Sequence, residues 1–328
     1  MYYVTNMLAK PKKVRTSQMN SVQNIDKALE IYIKNAFVCL YSVKQYNSNV
    51  NCIFFVDFDL GDEWSNLFKK YGITVSYVKF GDFSIGDQFN WGIVQYRYDV
   101  INKLCEIMND DDQVIMLDTD VVCVGSLDNI FKEIEHRLCL FDVQHSLDAR
   151  DRRSILNNYL KIYPNESHCE LIHYGGEFIG ARKSDLVKVL DESAKVIGLG
   201  NSTMGLVNFN DEHITSIAVD NLKKQGLIVN NANAYIYRYW TSYNFRCPNF
   251  YLAATNYHYN PVVLWHLPVE KKFGIMKVYQ YITKRKTMPS TKKMAAWFGF
   301  PKITRTHMVS YFFVRVLDYL KNNFSKNT

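Results

Sequence analysis

Nothing in this sequence offers a membrane span. The longest late apolar run, Val309 to Leu320, is interrupted by Arg315 and Asp318 and falls short of the ~20 apolar residues that cross a bilayer. The opening MYYVTNMLAKPKKVR has no apolar region ahead of a small-residue cleavage site, so no secretory signal is expected. There is no CxxC, and the seven cysteines are odd in number and scattered. They read as reduced core thiols, not as a disulfide framework or a zinc site. No internal repeat is found. The expected address is therefore the cytoplasm. Hydrophobic residues make up 48% of the 328 and charged residues 22%, which excludes a disordered or low-complexity chain. The length suits one α/β domain carrying an extension.

The net charge of +7 is unevenly spread. From Lys271 onward there are 13 Lys and Arg against one acid, Asp318, which is +12, so the first 270 residues sum to −5. A mildly acidic body (1–270) followed by a basic, aromatic extension (271–328) predicts an anionic partner for the extension. Lys284, Arg285, Lys286, Lys292 and Lys293 beside Trp297, Phe298 and Phe300, with an amphipathic stretch over Tyr311–Leu320, suit an anionic membrane surface. No other feature of the chain supports nucleic-acid binding.

YYVT at the start predicts a short buried strand, followed by a polar, basic loop over 9–23. Helical periodicity runs from Ile25 to Tyr46. CIFFVDF (Cys52–Phe58) predicts a strand, then come a helix (Glu63–Tyr71), a strand (Thr74–Val78), a helix (Ile93–Met108) and the strand Val114–Leu117. This alternation predicts a mostly parallel sheet with crossover helices. Further on, Leu127–Glu135 and Ser184–Ile197 read as helices, His145–Ser154 as a charged loop, and Leu171–Ala181 as a strand pair or strand-turn in which Gly175 and Gly176 permit close backbone approach. Ala234–Phe245 is a candidate stacking platform for a sugar or a second small core. Gly198–Gly205 looks like a nucleotide loop but follows a helix, not a strand, and is set aside.

The chemistry concentrates in VIMLDTDVV. Asp118 and Asp120 directly follow an apolar strand, and a two-residue spacing in extended chain puts both carboxylates on one side. At the carboxyl end of a parallel strand that side opens onto the ligand crevice. Two convergent carboxylates suit Mg²⁺ or Mn²⁺, which can neutralise a diphosphate leaving group. The cluster Asn210-Asp211-Glu212-His213 ahead of ITSIAV also carries candidate carboxylates, although Asn or Asp there is good helix N-cap chemistry as well.

On these residues the sequence resembles the GT-A glycosyltransferases, most closely glycosyltransferase family eight, over roughly Met1 to Phe273. The resemblance implies a GT-A, Rossmann-like α/β fold, a UDP-sugar donor, a Mn²⁺ or Mg²⁺ cofactor, a glycan or glycolipid acceptor and retention of configuration. It places the nucleotide near the opening strand (Tyr3, Thr5) and near Arg97, about twenty residues before the Asp-x-Asp. Asp118, Gly175 and Gly176 would also line the donor. Tyr174-Gly175-Gly176-Glu177 stands where the family has Asn-Ala-Gly-Val, with Tyr for Asn. Asp211-Glu212-His213 stands where the family has Asp-Gln-Asp, lining the reacting face of the sugar. His266, six residues before Lys272, matches the family's third metal ligand and its diphosphate-binding lysine. The implied metal set is Asp118, Asp120 and His266, and the implied catalytic pair is Asp211 and Glu212. Asp211 is read as stabilising an oxocarbenium-like state, whereas Glu212 is left open between nucleophile and stabiliser. The expected setting is the inner face of the plasma membrane, extending a lipopolysaccharide or capsule precursor. Three alternatives stand beside this reading. A haloacid-dehalogenase-type phosphatase would use Asp118 as nucleophile, but its motif normally opens the domain. The second is a non-catalytic glycan- or membrane-binding protein on a transferase scaffold. A nucleotidyltransferase would show a Gly-rich N-terminal loop, absent here.

Overall fold

A computed structural model describes residues 1–10, 24–83, 85, 92–143, 149–166, 171–239 and 262–300, without the side chains of 149–152. Its first half alternates as the periodicity predicts: β1 (Tyr2–Leu8), α1 (Ile25–Tyr46), β2 (Asn51–Val56), α2 (Asp62–Lys70), β3 (Ile73–Tyr77), α3 (Tyr96–Ile107) and β4 (Gln113–Leu117). α1 begins where Asn24 accepts a hydrogen bond from the Lys27 amide at 3.1 Å, satisfying one of the unpaired first-turn donors. The chain continues through β5 (Val121–Cys123), α4 (Asp128–Ile134), β6 (Leu138–Asp142), α5 (Ala149–Ile162), β7 (Tyr174–Arg182), α6 (Lys183–Ser202) and α7 (Asp211–Lys224). β8 (Val229–Asn231), β9 (Ile236–Arg238), β10 (Leu264–His266), α8 (Gly274–Arg285) and α9 (Thr291–Trp297) complete it.

The main sheet has seven strands in the order β3-β2-β1-β4-β7-β6-β8. Neighbouring strands pair in parallel except at β7, which runs antiparallel to both β4 and β6. Alternate residues serve opposite faces. Val4, Phe54, Ile115 and Leu117 join the core built with Phe37 and Leu40 of α1, whereas Tyr3, Phe55, Val114 and Met116 join the core built with Leu104 of α3, Val189 of α6 and Ile217 of α7. Burial on both faces is why these strands are nearly continuous apolar runs. A small second sheet, β5-β10-β9, branches from the carboxyl end of β4.

Three expectations are corrected. The segment Leu171–Ala181, read as a strand pair or strand-turn, contributes one continuous strand, β7 from Tyr174 on. The charged stretch before Ser154 is taken into α5 from Ala149 on, because Ile155, Tyr159 and Ile162 anchor one helical face in the core and extend the helix backward; 145–148 lie outside the described residues. Third, the chain does not divide at 270/271. Ile275, Val278, Ile282, Met294 and Phe298 are all buried in the α1-side core, and the Tyr41 hydroxyl donates to the Lys286 carbonyl at 2.9 Å. The apolar spacing of α8 thus makes 271–300 part of the domain. Residues 301–328, with the amphipathic Tyr311–Leu320, lie outside the described residues. No helix among the described residues is long and apolar enough to cross a membrane. Tyr237 and Tyr239, from the aromatic stretch, are buried and pack on Phe300; 240–245 are not described.

Candidate metal and donor site

β4 delivers Asp118 to the carboxyl edge of the sheet, where the Asp118 amide donates to the Glu177 carbonyl of β7 at 3.1 Å. The chain then turns, with the Val121 amide donating to the Asp118 carbonyl at 3.2 Å. β5 pairs antiparallel with β10 so that Val121 faces His266, and the Leu267 amide donates to the Asp120 carbonyl at 3.0 Å. This pairing carries His266 to the two aspartates across 146 residues of chain. Its Nε2 lies 3.8 Å from Asp118 Oδ2 and 3.5 Å from Asp120 Oδ2. One ligand atom from each of the three residues falls within 4.8 Å of the others.

The surroundings are heavily charged. His266 Nδ1 lies 3.1 Å from Glu177 Oε1, so its Nε2 is turned toward the aspartates. Arg238 Nε lies 2.9 Å from the same Glu177 oxygen. Lys271 Nζ lies 2.9 Å from Asp120 Oδ2 and balances the charge of that buried oxygen. Burial opposes ionisation of Asp120, yet Lys271 and His266 hold its carboxyl well below the usual range. Burial and then the Asp120 charge push Asp118 up, to about 7. Because 37% of the Asp118 side chain still faces solvent, this burial is crowding at a crevice wall, not enclosure. Burial disfavours the His266 imidazolium, but Asp120 and Glu177 outweigh it and raise its pKa to about 9.

A second cluster adjoins the first through Arg97 of α3. This guanidinium donates to the Gly176 carbonyl and lies 2.9 Å from Asp211 Oδ2 and 3.7 Å from Asp118 Oδ1. Gly176 is required by this packing: a Cβ there would stand 2.9 Å from both Arg97 Nη2 and Asp211 Oδ2. At Gly175 a Cβ would stand 2.0 Å from Glu177 Oε2. The Gly176 amide donates to Glu212 Oε1 at 3.3 Å, and His173 Nε2 sits 2.8 Å from Glu212 Oε2. Asn210 caps α7 by accepting from the His213 amide at 3.0 Å. Asp211 and Glu212 are therefore in the first turn, where the helix dipole favours negative charge, and neither side chain is used as the cap. Burial raises Asp211 to about 6 against the pull of Arg97. Against burial, the His173 hydrogen bond and charge keep Glu212 low.

The structure thus brings together Asp118, Asp120, His266, Arg97, Gly176, Asp211 and Glu212. It does not bring Tyr3 and Thr5 to them. Tyr3 pairs with Val114, near the amino end of the strands, and Thr5 pairs with Met116 and is fully buried. A seven-residue strand carries only its end to the crevice, so Ala9 and Lys10 lie closer to the crevice edge of the sheet than either predicted residue. Lys271, the residue before the predicted Lys272, meets Asp120, because the turn after β10 buries the first of the pair and leaves the second partly exposed. Sequence reasoning missed Lys271, Glu177, Arg238 and His173. A lone glutamate inside the otherwise apolar EFIGA was the one available signal, since a charge in a buried strand needs a partner.

A divalent cation fits these residues. Oxygen and imidazole donors suit it, and Glu177 behind His266 supplies the outer contact that orients a ligating imidazole. Among the described residues, Asp118, Asp120, Glu177, Asp211 and Glu212 face three permanent cations, Arg97, Arg238 and Lys271. A metal ion would take the place of the His266 proton, and with both imidazoles then neutral the set carries two negative charges to balance.

No family model and no curated protein matches the chain. Among solved structures, an active-site mutant of LgtC is 15% identical, with 89% of this chain and 99% of that chain covered at a TM-score of 0.50. Mouse xyloside xylosyltransferase 1, apo form, is 10% identical, covering 81% and 97% at 0.48. The galactosyltransferase LgtC with donor and acceptor sugar analogues is 15% identical, covering 93% and 98% at 0.47. The first likeness is one of fold, and with the sheet described above it is the GT-A fold; the two lower-scoring ones add nothing to it.

Proposed function

We propose that the protein is a metal-assisted glycosyltransferase. It takes a nucleotide-sugar donor, with UDP-galactose or UDP-glucose favoured, and passes the hexose with retention to a lipid-borne glycan. The carrying observation is the convergence of Asp118, Asp120 and His266 at the carboxyl end of β4, facing Asp211 and Glu212 across Gly176. When bound, a divalent cation would neutralise a diphosphate leaving group; Asp118, Asp120 and His266 would hold it. Arg97 ties the two halves together, so the distance between metal side and sugar side is set by one buried guanidinium. Glu212, kept anionic by His173, and Asp211, paired with Arg97, supply the negative charge that an oxocarbenium-like centre requires. A phosphatase reading fits less well, since three parallel strands precede the Asp-x-Asp strand in the sheet.

Exposed Lys284, Arg285, Lys286, Lys292 and Lys293 gather at the α8–α9 turn, and 271–300 contain no acid. That basic surface supports an acceptor presented at an anionic membrane, on the cytoplasmic face of the plasma membrane. Each basic residue at such a surface contributes about 1 kcal/mol. Unchanged sedimentation with anionic vesicles after neutralising all five would remove the membrane part of the reading.

Calorimetry with a panel of nucleotide sugars, with and without Mn²⁺, tests the whole. Metal-dependent binding of one UDP-sugar, lost in Asp120→Ala, is expected. If no nucleotide sugar binds in any condition, the transferase reading fails.

A further inference from the structure

The lysine beside Asp120 has a consequence for how the site loads. Lys271 is 6% exposed and Asp120 is 1% exposed. The ammonium stands 2.9 Å from Oδ2, the oxygen that His266 Nε2 approaches to 3.5 Å from another direction. The Lys271 ammonium also lies 5.4 Å from the ring centroid of Tyr32 on α1. A divalent ion bonds carboxylate oxygen at about 2.1 Å, inside the space this ammonium now neutralises. A divalent ion at bonding distance and an ammonium at 2.9 Å cannot both sit on Asp120 Oδ2 without strong repulsion.

We infer that Lys271 is a built-in counter-cation that occupies the metal seat of Asp120 and must be displaced before a divalent ion can bind. This rests on the metal-site reading above. An ammonium expelled from Asp120 stays inside a crevice wall and needs a new anion. The diphosphate of the incoming donor is the anion that arrives with the metal. Metal and nucleotide therefore bind cooperatively: each is weak alone, and each strengthens the other by the same factor. The flexible four-carbon stem of lysine suits such a transfer.

The test is a manganese titration followed by electron paramagnetic resonance, with MnCl₂ alone and with MnCl₂ plus UDP. Wild type, Lys271→Met, Lys271→Arg and Asp120→Asn are compared. In wild type, manganese alone binds weakly and UDP strengthens it. In Lys271→Met, affinity for manganese alone rises on the order of tenfold or more, and the enhancement by UDP falls by a similar factor. Lys271→Arg keeps a cation in place and behaves like wild type. Melting temperatures check folding, and manganese alone raises that of Lys271→Met more than that of wild type. Manganese affinity that is unchanged or weaker in a folded Lys271→Met overturns the inference. Failure of a different kind is distinguishable: if manganese binds wild type no better than Asp120→Asn, with UDP present as well, the metal reading itself falls.

Discussion

His213 makes the stability of this fold depend on pH in a way that can be worked from its surroundings. It is 4% exposed, and Asn158 Nδ2 lies 2.8 Å from its Nδ1, donating to a lone pair that the imidazolium lacks. Burial, and then the neighbouring His173, lower its pKa from 6.5 to about 4. The folded value is depressed, so the contribution is complete above pH 6.5. It is lost as pH falls, because the unfolded chain takes up a proton that the folded chain refuses; below pH 4 both forms are protonated and the loss is complete. Two and a half pKa units correspond to about 3 kcal/mol. Asp118 and Asp211, whose carboxyls are raised, act in the opposite sense over the same range, so the difference between variants is the quantity to measure. His213→Asn places an amide oxygen near the Nδ1 position and does not titrate. Urea unfolding of both proteins at pH 7 and pH 4 is expected to show wild type losing about 3 kcal/mol relative to the variant. A difference that stays constant across that range would refute the assignment of a neutral, Asn158-bonded imidazole.

Further outcomes follow from the same geometry. Glu212→Gln keeps shape and removes charge; near-wild-type turnover with donor and acceptor saturating would exclude a nucleophilic role, whereas a stabilising carboxylate predicts a loss in kcat. Gly176→Ala forces apart Arg97 and Asp211, each 2.9 Å from the new methyl, and is expected to cost about 1–3 kcal/mol with loss of donor binding by calorimetry; an unchanged melting temperature would contradict it. Phe298→Ala removes a ring packed against Trp265 and Gly274. A loss of about 3–5 kcal/mol is expected, and a loss of only a few tenths would restore 271–300 as an appendage.

Local pattern accounts for much of the fold. The 3.6-residue periodicity over Ile25–Tyr46 locates α1, and the apolar runs of β2 and β4 locate two central strands, because strands buried on both faces admit almost no polar residue. Local pattern failed where a partner distant in sequence decided the outcome. α5 grows back over a charged segment because Ile155, Tyr159 and Ile162 dock on a core assembled from other helices. The strand pair or strand-turn expected over Leu171–Ala181 is one strand because both its neighbours, β4 and β6, offer edges to it.

The candidate site divides in the same manner. The sequence by itself determined that Asp118 and Asp120 sit at a strand end on one side of the chain, since the period of extended backbone is two. It also marked Asn210 or Asp211 as a helix N-cap, since a side-chain oxygen there can close the first helical turn; the structure gives that place to Asn210. Only the tertiary structure decided that His266 meets the aspartates, that Glu177 and Arg238 stand behind it, and that Lys271, not its neighbour Lys272, reaches Asp120. Those placements come from the antiparallel register of β5 with β10 and of β4 with β7. In such a pairing a shift of one residue turns every side chain to the opposite face, and register between segments more than fifty residues apart is set by packing of the whole domain.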